Sequence, residues 1–328
     1  MEEKLKALSI ISRFGVYIIF LILVVIGSIT APHIFLTPRN FLDIVEAGSL
    51  MGIAAIGVSF ITYSGHFCDM SVPGMLALSG IISVQFLPYG LPVCILTAVL
   101  SCACVGAVNG YMVGKWKANP IIWTLAMQFI LGGILRWAYS GNQIFPDLVV
   151  DSESLVAGFS AIYRYRVFGA IPMVVIVFVA AALVCHFIYT KTHYGKCLKM
   201  TGSNYTAARF SGINAKKTVW IAFIMSGVFT GIAGVMLASL QKVGSYSSGE
   251  GYDFDTVVAI VLGGMALFGG RGSAIGVFGG VVTLGLLSNV MILLGMGTFE
   301  QYFVKGLVFI LIVWLNSFAL RKLGKDYA

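Results

Sequence analysis

Uncharged hydrogen-bonding side chains inside long apolar stretches are the first residues of this chain that could do chemistry. Such side chains can exchange hydrogen bonds with the hydroxyl groups of a neutral solute, or they can hold two membrane helices together. Because no charged groups accompany them, they suit a hydroxyl-rich solute better than an ion. The candidates for lining a solute path are Ser79, Asn109, Thr124, Gln128, Ser288 and Asn289.

Three acidic residues stand where apolar stretches begin: Asp69 before one stretch, and Asp253 and Asp255 at the start of another. A carboxylate in the first turn of a helix accepts backbone N–H bonds and complements the helix dipole. We therefore expect these acids to anchor helix starts and shape gates without touching a neutral solute. Proton-coupled transport would place acids or histidines deep inside the stretches, and His186 and Lys305 both lie near stretch ends.

Catalytic, metal and nucleotide sites are not predicted. The four histidines lack the i, i+4 spacing and the acidic neighbours of a zinc or acid–base site. The sequence nearest to a nucleotide-binding loop, Gly110-Y-M-V-G-Lys115-Trp116, has the wrong spacing and no Ser or Thr after the lysine. The glycine-rich residues 262–273 lack a preceding strand, so close helix packing is their expected use. The chain is expected to hold no cofactor and to hydrolyse no ATP.

Composition indicates the elements that must position these residues. Of the 328 residues, 59% are hydrophobic and 10% are charged, and the mean hydropathy is +0.95. Soluble domains have about 45–50% apolar and about 25% charged residues, so a soluble enzyme is excluded as the default. Apolar runs of roughly 20 residues instead predict membrane-spanning helices. We expect one all-α, polytopic membrane domain over residues 1–328.

Ten segments are predicted to span or re-enter the membrane. They are residues 14–31, 44–63, 70–87, 91–114, 121–138, 168–189, 218–240, 254–268, 273–294 and 303–320. The third and eighth are short or glycine-rich, so each is expected either to cross fully or to form a broken, re-entrant helix among its neighbours.

Basic residues predict the orientation, because they collect in cytoplasmic loops. With the N-terminus inside, the cytoplasmic segments hold 15 of the 21 lysines and arginines, and six of those 15 lie in residues 190–217. Both termini are then expected in the cytoplasm. The net charge of +8 is explained by this bias and not by nucleic-acid binding. Residues 190–217 are the expected docking loop for a cytoplasmic partner.

An internal repeat is visible in the sequence. Asp69-M-S-V-P-G-M-L-A-L-S-Gly80 aligns with Asp253-F-D-T-V-V-A-I-V-L-G-Gly264 in its acid, its apolar run and its final glycine. The copies begin the third and the eighth predicted segments, five places apart in the order, so they should enter the membrane from opposite sides, as in inverted-repeat transporters. We place the repeat halves at about 44–138 and 218–320; chance similarity between apolar helices is the alternative.

Three motifs resemble those of the permeases of sugar-type ABC importers, the class serving ribose, galactose, arabinose and autoinducer-2. Ser64-G-H-F-C-D-M-S-V-P-G-M-L-A-L-S-Gly80 resembles that family's S-G-G-I-D-L-S-V-G-x-x-x-A-L-S-G. Asn109-G-Y-M-V-G-K-W-K-A-N-P-I-I-W-T-Leu125 is similar to N-G-x-x-V-x-x-x-x-x-x-P-F-I-x-T-L. Gly249-E-G-Y-D-F-D-T-V-V-A-I-V-L-G-G-M-A-L-F-G-G-R-G-Ser273 resembles G-x-G-Y-E-L-D-A-I-A-A-V-V-L-G-G-x-x-L-x-G-G-R-G. The resemblance extends over about residues 36–320.

The resemblance implies an inner-membrane subunit with three kinds of partner. These are a second permease copy or a paralogue, a tandem or dimeric cytoplasmic ABC ATPase that binds the ATP and Mg²⁺, and a periplasmic or lipid-anchored sugar-binding protein. It also implies a short helix that enters a cleft of the ATPase, since Gly202-S-N-Y-T-A-A-R-F-S-G-Ile213 resembles G-x-N-E-E-A-A-R-x-S-G-I. The implied ATPase-coupling residues are Gly202, Asn204, Ala207, Ala208, Arg209 and Gly212.

This chain departs from the family's coupling motif at two positions. Tyr205 and Thr206 replace the two acids, so Arg209 remains as the charge-assisted donor to the ATPase. The first motif also differs, with His66 in place of a glycine and with Pro73, which many members lack. These departures leave the solute open. The alternative function is an ATP-independent secondary transporter or channel, which would respond to an ion gradient without ATP.

Overall fold

The computed structural model describes residues 19–322, and the side chains up to residue 314. The start of the first predicted segment and both chain ends lie outside the described residues. The helices are α1 (Ile19–Thr30), α2 (Pro32–Phe35), α3 (Pro38–Tyr63), α4 (Val72–Gln85), α5 (Leu91–Trp116), α6 (Pro120–Ala138), α7 (Pro146–Val149), α8 (Glu153–Arg164), α9 (Met173–Lys191), α10 (His193–Ser203), α11 (Tyr205–Phe210), α12 (Ala215–Gln241), α13 (Tyr252–Leu262), α14 (Ala274–Leu293) and α15 (Thr298–Lys322).

The all-α polytopic prediction is confirmed. Among the described helices, α3, α5, α6, α9, α12 and α14 are long and apolar enough to cross a membrane. A 3-10 turn at Leu87–Tyr89 and one two-stranded hairpin, β1 (Arg166–Val167) with β2 (Ile171–Pro172), complete the regular structure of the described part. The hairpin corrects the start of the sixth predicted segment: the turn at Phe168 and Gly169, both with positive φ, delays the helix until Met173.

Two long helices form the centre of the bundle. In their most apolar 18 residues, α3 and α12 bury 83% and 72% of positions, whereas α5, α6 and α9 bury at most 33%. Glycines bring α12 close to α5, because a Cβ at Gly110 would come within 2.8 Å of the carbonyl oxygen of Trp220 and one at Gly106 would overlap that of Phe223. Small residues at such contacts are typical of helix packing in membranes.

The bundle has a basic end and an opposite end. The basic end comprises residues 64–65, 115–119, 190–217 and 263–273, which meet through Gly65, Gly202 and Gly269 and through Gly114 with Lys216. The opposite end includes the hydrogen-bonded bridge between Ile144 and Gly244. Helix α3 therefore runs toward the basic end and α12 away from it.

The order of one long helix, one short helix and two longer helices occurs twice, as α3–α6 and again as α12–α15. The two copies run in opposite directions. The short helices are α4, with 14 residues, and α13, with 11. At 1.5 Å per residue they measure about 21 Å and about 16 Å, less than the roughly 30 Å hydrocarbon core of a bilayer. The third and eighth predicted segments therefore cross as broken helices: a non-helical link enters from one end of the bundle and the short helix completes the crossing.

The glycine-rich residues 262–273 pack helices together, as predicted. A Cβ at Gly263 would clash with the backbone of Gly276, and one at Gly280 would overlap the carbonyl oxygen of Ala259. Helix α13 thus lies directly on the backbone of α14. Ser273 caps the N-terminus of α14, because its hydroxyl accepts the Gly276 N–H at 3.0 Å.

Candidate functional site

The first link, residues 64–71, carries the chain from α3 at the basic end to the start of α4 inside the bundle. Asp69 is completely buried there. Its Oδ1 accepts the backbone N–H of Ser71 at 2.9 Å and also the Ser71 hydroxyl. This corrects the sequence expectation, because α4 begins at Val72 and Asp69 stabilises the turn that precedes the helix.

A chain of hydrogen bonds joins Asp69 to two neighbouring helices. The Ser71 hydroxyl accepts Nδ2 of Asn109 in α5 at 2.9 Å, and Oδ1 of Asn109 accepts the indole N–H of Trp123 in α6 at 3.0 Å. Ser71 and Trp123 were not singled out from the sequence, since neither type nor spacing reveals a pairing across helices. The network fixes where the first link lies between α5 and α6.

Two residues of α6 accept backbone N–H groups of this region, one in the first turn of α4 and one just before the helix. The hydroxyl of Thr124 accepts the backbone N–H of Met70 at 2.9 Å, and Oε1 of Gln128 accepts that of Gly74 at 2.5 Å. The first N–H groups of a helix have no partners within the helix. Inside a membrane such groups are costly unless the protein supplies acceptors. Thr124 and Gln128 therefore support the broken helix.

The remaining path candidates also serve other helices. The Ser79 hydroxyl donates to the carbonyl oxygen of Gly231 in α12 at 2.6 Å. Asn289 bonds reciprocally to Asn40 of α3 at 2.9 and 3.3 Å, and Ser288 beside it is half-buried in α14. The six predicted path residues thus do not converge on one site. Asn109, Thr124 and Gln128 gather at the start of α4, and Ser79 and Asn289 lie at separate helix contacts.

The second link, residues 243–251, descends from the opposite end to the start of α13. Asp253 and Asp255 lie in the first turn of α13, as predicted. Asp255 has an additional role, because its Oδ2 accepts Nζ of Lys305 in α15 at 2.8 Å and their side chains are only 16% and 11% exposed. One sequence feature could have indicated this role: a lysine lies within the apolar stretch of α15, and ionisable residues in such stretches are commonly functional.

The two short helices begin beside each other. A Cβ at Gly249 in the second link would lie 2.9 Å from Cβ of Leu76, in the second turn of α4. From this region α4 runs toward the opposite end and α13 toward the basic end. The first turns of both helices, with their partial positive charge, therefore start inside the bundle.

Several polar atoms near these starts have no hydrogen-bond partner within the described residues. They include Oδ2 of Asp69, Oδ1 of Asp255 and the hydroxyl groups of Ser226 and Thr230 in α12. Ser226 lies next to the carboxylate of Asp69. The described residues contain no group of three His, Cys, Asp or Glu that could hold a metal ion. The unpartnered atoms are hydroxyl groups and carboxylate oxygens, which can form hydrogen bonds with a solute.

The predicted coupling segment forms an exposed helical turn at the basic end. Asn204 caps α11, with its Oδ1 accepting the Ala207 N–H at 2.9 Å. Ala207 and Arg209 are exposed and Ala208 is buried. Gly212, at φ +81°, ends the helix. Gly202 belongs instead to α10, a correction to the predicted single helix over 202–212. No sequence pattern indicated a role for Phe210, which is 90% exposed beside Arg209.

Four glycines join α10, the helix before the coupling segment, to the first link and to the loop between α13 and α14. This glycine junction consists of Gly65 after α3, Gly202 in α10, and Gly269 and Gly270 between α13 and α14. A Cβ at Gly202 would overlap the carbonyl oxygen of Tyr63 and approach the Gly270 nitrogen to 2.6 Å. The Gly270 N–H in turn donates to the Tyr63 carbonyl at 3.1 Å. Backbone contacts alone thus connect α10 to the first link, which leads into α4, and to the loop that follows α13.

Helix α10 is also held to α12. The hydroxyl of Tyr194 lies 3.1 Å from the carbonyl oxygen of Thr218 and donates to it. Burial, with a smaller contribution from Cys197, raises the pKa of Tyr194 above its ordinary value. The phenol therefore remains protonated and keeps this hydrogen bond at neutral pH.

Comparisons with known proteins agree with this architecture. The chain matches the family model described as branched-chain amino acid transport system / permease component over residues 40–313. It is similar to the L-arabinose ABC transporter permease protein AraH of Azospirillum brasilense, at 31% identity over 94% of this chain and 89% of the relative. It is similar to the ribose import permease protein RbsC of Bacillus subtilis, at 31% identity over 96% of each chain. The xylose transport system permease protein XylH of Haemophilus influenzae is 29% identical over 98% of this chain and 100% of the relative. No solved structure matches the chain.

Proposed function

Because the chain belongs to the family of branched-chain amino acid transport system permease components, we propose that it is the transmembrane subunit of an ATP-binding-cassette importer for a sugar or a similar neutral polyhydroxylated solute. Family membership makes it a multi-pass inner-membrane protein and a transporter component, not an enzyme. The sugar assignment draws on relatives that are named as permeases for L-arabinose, ribose and xylose.

One observation carries the proposal: two oppositely directed short helices begin side by side inside the bundle. Transporters built from inverted repeats bind and release their solute where such broken helices start. Around these starts, Thr230 offers a hydroxyl group without a partner, and the ionisable Lys305 is already paired with Asp255. A neutral solute with several hydroxyl groups fits this chemistry better than an ion does.

The basic end supports ATPase docking. Arg209 and Phe210 are exposed on α11, and the glycine junction connects the preceding helix α10 to the first link and to the loop after α13. In this proposal the ATPase subunits hold ATP and Mg²⁺, and α11 enters their cleft. A displacement of α11 would reach α4 and α13 through backbone contacts and change which side of the membrane can reach the solute.

The proposal also includes an orientation and an assembly. The basic end and both termini face the cytoplasm, because basic residues collect there. A second permease copy or a paralogue completes the pathway, a tandem or dimeric ATPase binds the basic end, and a periplasmic or lipid-anchored sugar-binding protein delivers solute at the opposite end. The chain binds no nucleic acid.

Uptake into proteoliposomes tests the proposal. The chain is reconstituted with its cognate ATPase and binding protein, and uptake of labelled ribose, arabinose and xylose is measured. We expect uptake of at least one sugar that requires ATP on the ATPase side and the binding protein on the other, and that persists when the ion gradients are collapsed. Uptake driven by an ion gradient without ATP would identify a secondary transporter or channel and reject the proposal.

Substitution of Arg209 by glutamate tests the docking surface. The reversed charge on exposed α11 should abolish binding-protein-stimulated ATP hydrolysis, with at least a tenfold loss of stimulation, while the chain still folds and inserts. Lys117→Glu is the matched control, since Lys117 is equally exposed at the same end but lies outside α11. Full stimulation in Arg209→Glu, or an equal loss in both variants, would contradict the assignment of α11.

A further inference from the structure

A cavity of about 410 Å³ opens at the basic end between α9, α10 and the start of α14. Lys196 and Lys199 of α10 line one side, His186 and Thr190 of α9 another, and Ser273 with the α14 N-terminus a third. Neither the solute proposal nor the docking of α11 uses this cavity.

The positive charge of the cavity is not balanced by acids of this chain. Lys196 and Lys199 are exposed, and the two ion pairs in the described part of the chain involve other residues. Residues 190–217 and 263–273, which surround the cavity at the basic end, contain no aspartate or glutamate. A ligand that occupies the cavity is therefore expected to be an anion.

The lysines are held on one face by the fold. Their spacing of i, i+3 places both side chains on the same side of α10. Gly195 lets α10 turn tightly against α9, because a Cβ there would overlap the carbonyl oxygen of Ile188. The hydroxyl of Ser273 and the backbone around Gly272 add hydrogen-bonding groups, whereas the Thr190 hydroxyl already donates to the carbonyl oxygen of His186 at 2.7 Å. Charged donors and neutral hydrogen-bonding groups together match the oxygens of a phosphate group.

The surroundings of the cavity favour a lipid as the source of the phosphate. Phe187, the residue after His186 in α9, is 60% exposed, and Ile275, the residue after Ala274 in α14, is 62% exposed. Both helices are long enough to cross the membrane, so these apolar side chains lie where acyl chains are available. Basic pockets between helices at a membrane surface are known to bind lipid headgroups.

We infer that this cavity binds the phosphate headgroup of an anionic phospholipid, whose acyl chains lie along α9 and α14. The bound headgroup bridges α10, which belongs to the coupling loop, and α14, which follows the short helix α13. This inference requires only that the chain lies in a membrane, which its family membership establishes, and it is independent of the transported solute.

Thermal unfolding of the purified full chain in detergent tests the inference. Phosphatidylglycerol is added to one series, phosphatidylcholine to a second, and inorganic phosphate or glycerol 3-phosphate to a third. We expect a saturable rise in Tm with phosphatidylglycerol alone, and a tenfold or greater loss of apparent affinity in the double variant Lys196→Gln, Lys199→Gln. The matched control is Lys216→Gln, Lys217→Gln, which removes two positive charges at the same end but outside the cavity.

Four outcomes would overturn the inference. Equal shifts with both phospholipids would exclude recognition of the anionic headgroup, and an equal shift with free phosphate would make the site one for a soluble anion. An equal loss in the control variant would indicate diffuse surface charge. Unchanged phosphatidylglycerol binding in the Lys196 and Lys199 double variant, with loss of co-purified ATPase, would reassign these lysines to ATPase docking.

Discussion

Replacing Lys305 by methionine is expected to lower the free energy of unfolding by about 3–5 kcal/mol, the usual cost of removing one partner of a buried ion pair. The substitution leaves the carboxylate of Asp255, only 16% exposed, without the ammonium group that lies 2.8 Å away. Because that carboxylate lies in the first turn of α13, this short helix loses its ion pair with α15. Solute uptake should fall with stability.

A second pair in the same chain provides the control. Arg166 and Glu46 are 3.2 Å apart, but the arginine is 46% exposed. Exposed pairs contribute about 0–1 kcal/mol, so Arg166→Met should have a small effect. The double variant Asp255→Asn, Lys305→Gln removes both buried charges and should recover much of the loss. Equal destabilisation by Lys305→Met and Arg166→Met, measured by thermal unfolding in detergent, would show that the buried pair has no special role.

Replacing Gly202 by alanine is expected to cost stability at the upper part of the 1–3 kcal/mol typical of overpacking, and to uncouple ATP hydrolysis from transport. The added Cβ overlaps the Tyr63 carbonyl oxygen and lies 2.6 Å from the Gly270 nitrogen. Both contacts are with backbone atoms, which cannot move aside as a side chain can. The end of α10 must therefore separate from the end of α3 and from the loop between α13 and α14.

The coupling ratio distinguishes this effect from simple unfolding. At a temperature where Gly202→Ala remains folded, ATPase stimulation by the loaded binding protein should fall at least tenfold. Gly133→Ala in α6 is the matched control, since a Cβ there meets nothing within 4 Å. If Gly202→Ala kept the Tm and the stimulation of the parent chain, the glycine junction would not transmit motion.

The fold could be predicted largely from the sequence because its signal is local. Apolar runs bounded by charges, prolines and glycines located the helices, and short or glycine-rich stretches left open whether the third and eighth segments cross fully. The early part of the sixth segment was wrong because apolar residues such as Phe168 and Ile171 fit a hairpin as well as a helix. The amphipathic α8 and the short α7 lack a long apolar run, so they were not predicted.

The site was harder to predict because its contacts join distant parts of the chain. The bond between Asn40 and Asn289 spans 249 positions. A buried asparagine or threonine in an apolar helix can meet a solute or another helix, and its type does not decide between them. In three dimensions Thr124 and Gln128 accept backbone N–H groups at the start of α4, whereas the Thr230 hydroxyl has no partner in the described structure.

The short length of α4 and α13 has a consequence for how this protein is made. Neither the 14 residues of α4 nor the 11 of α13 reach the roughly 17 needed to enter the bilayer as an independent helix during synthesis. Thr124 follows Met70 by 54 positions, and Lys305 follows Asp255 by 50. Each short helix therefore lacks partners for backbone or charged groups until the last helix of its own half has been synthesised. Its insertion is complete only after that. The first half nevertheless completes its packing only after the second has been made, because α5 packs against α12 and Asn40 of α3 bonds to Asn289 of α14.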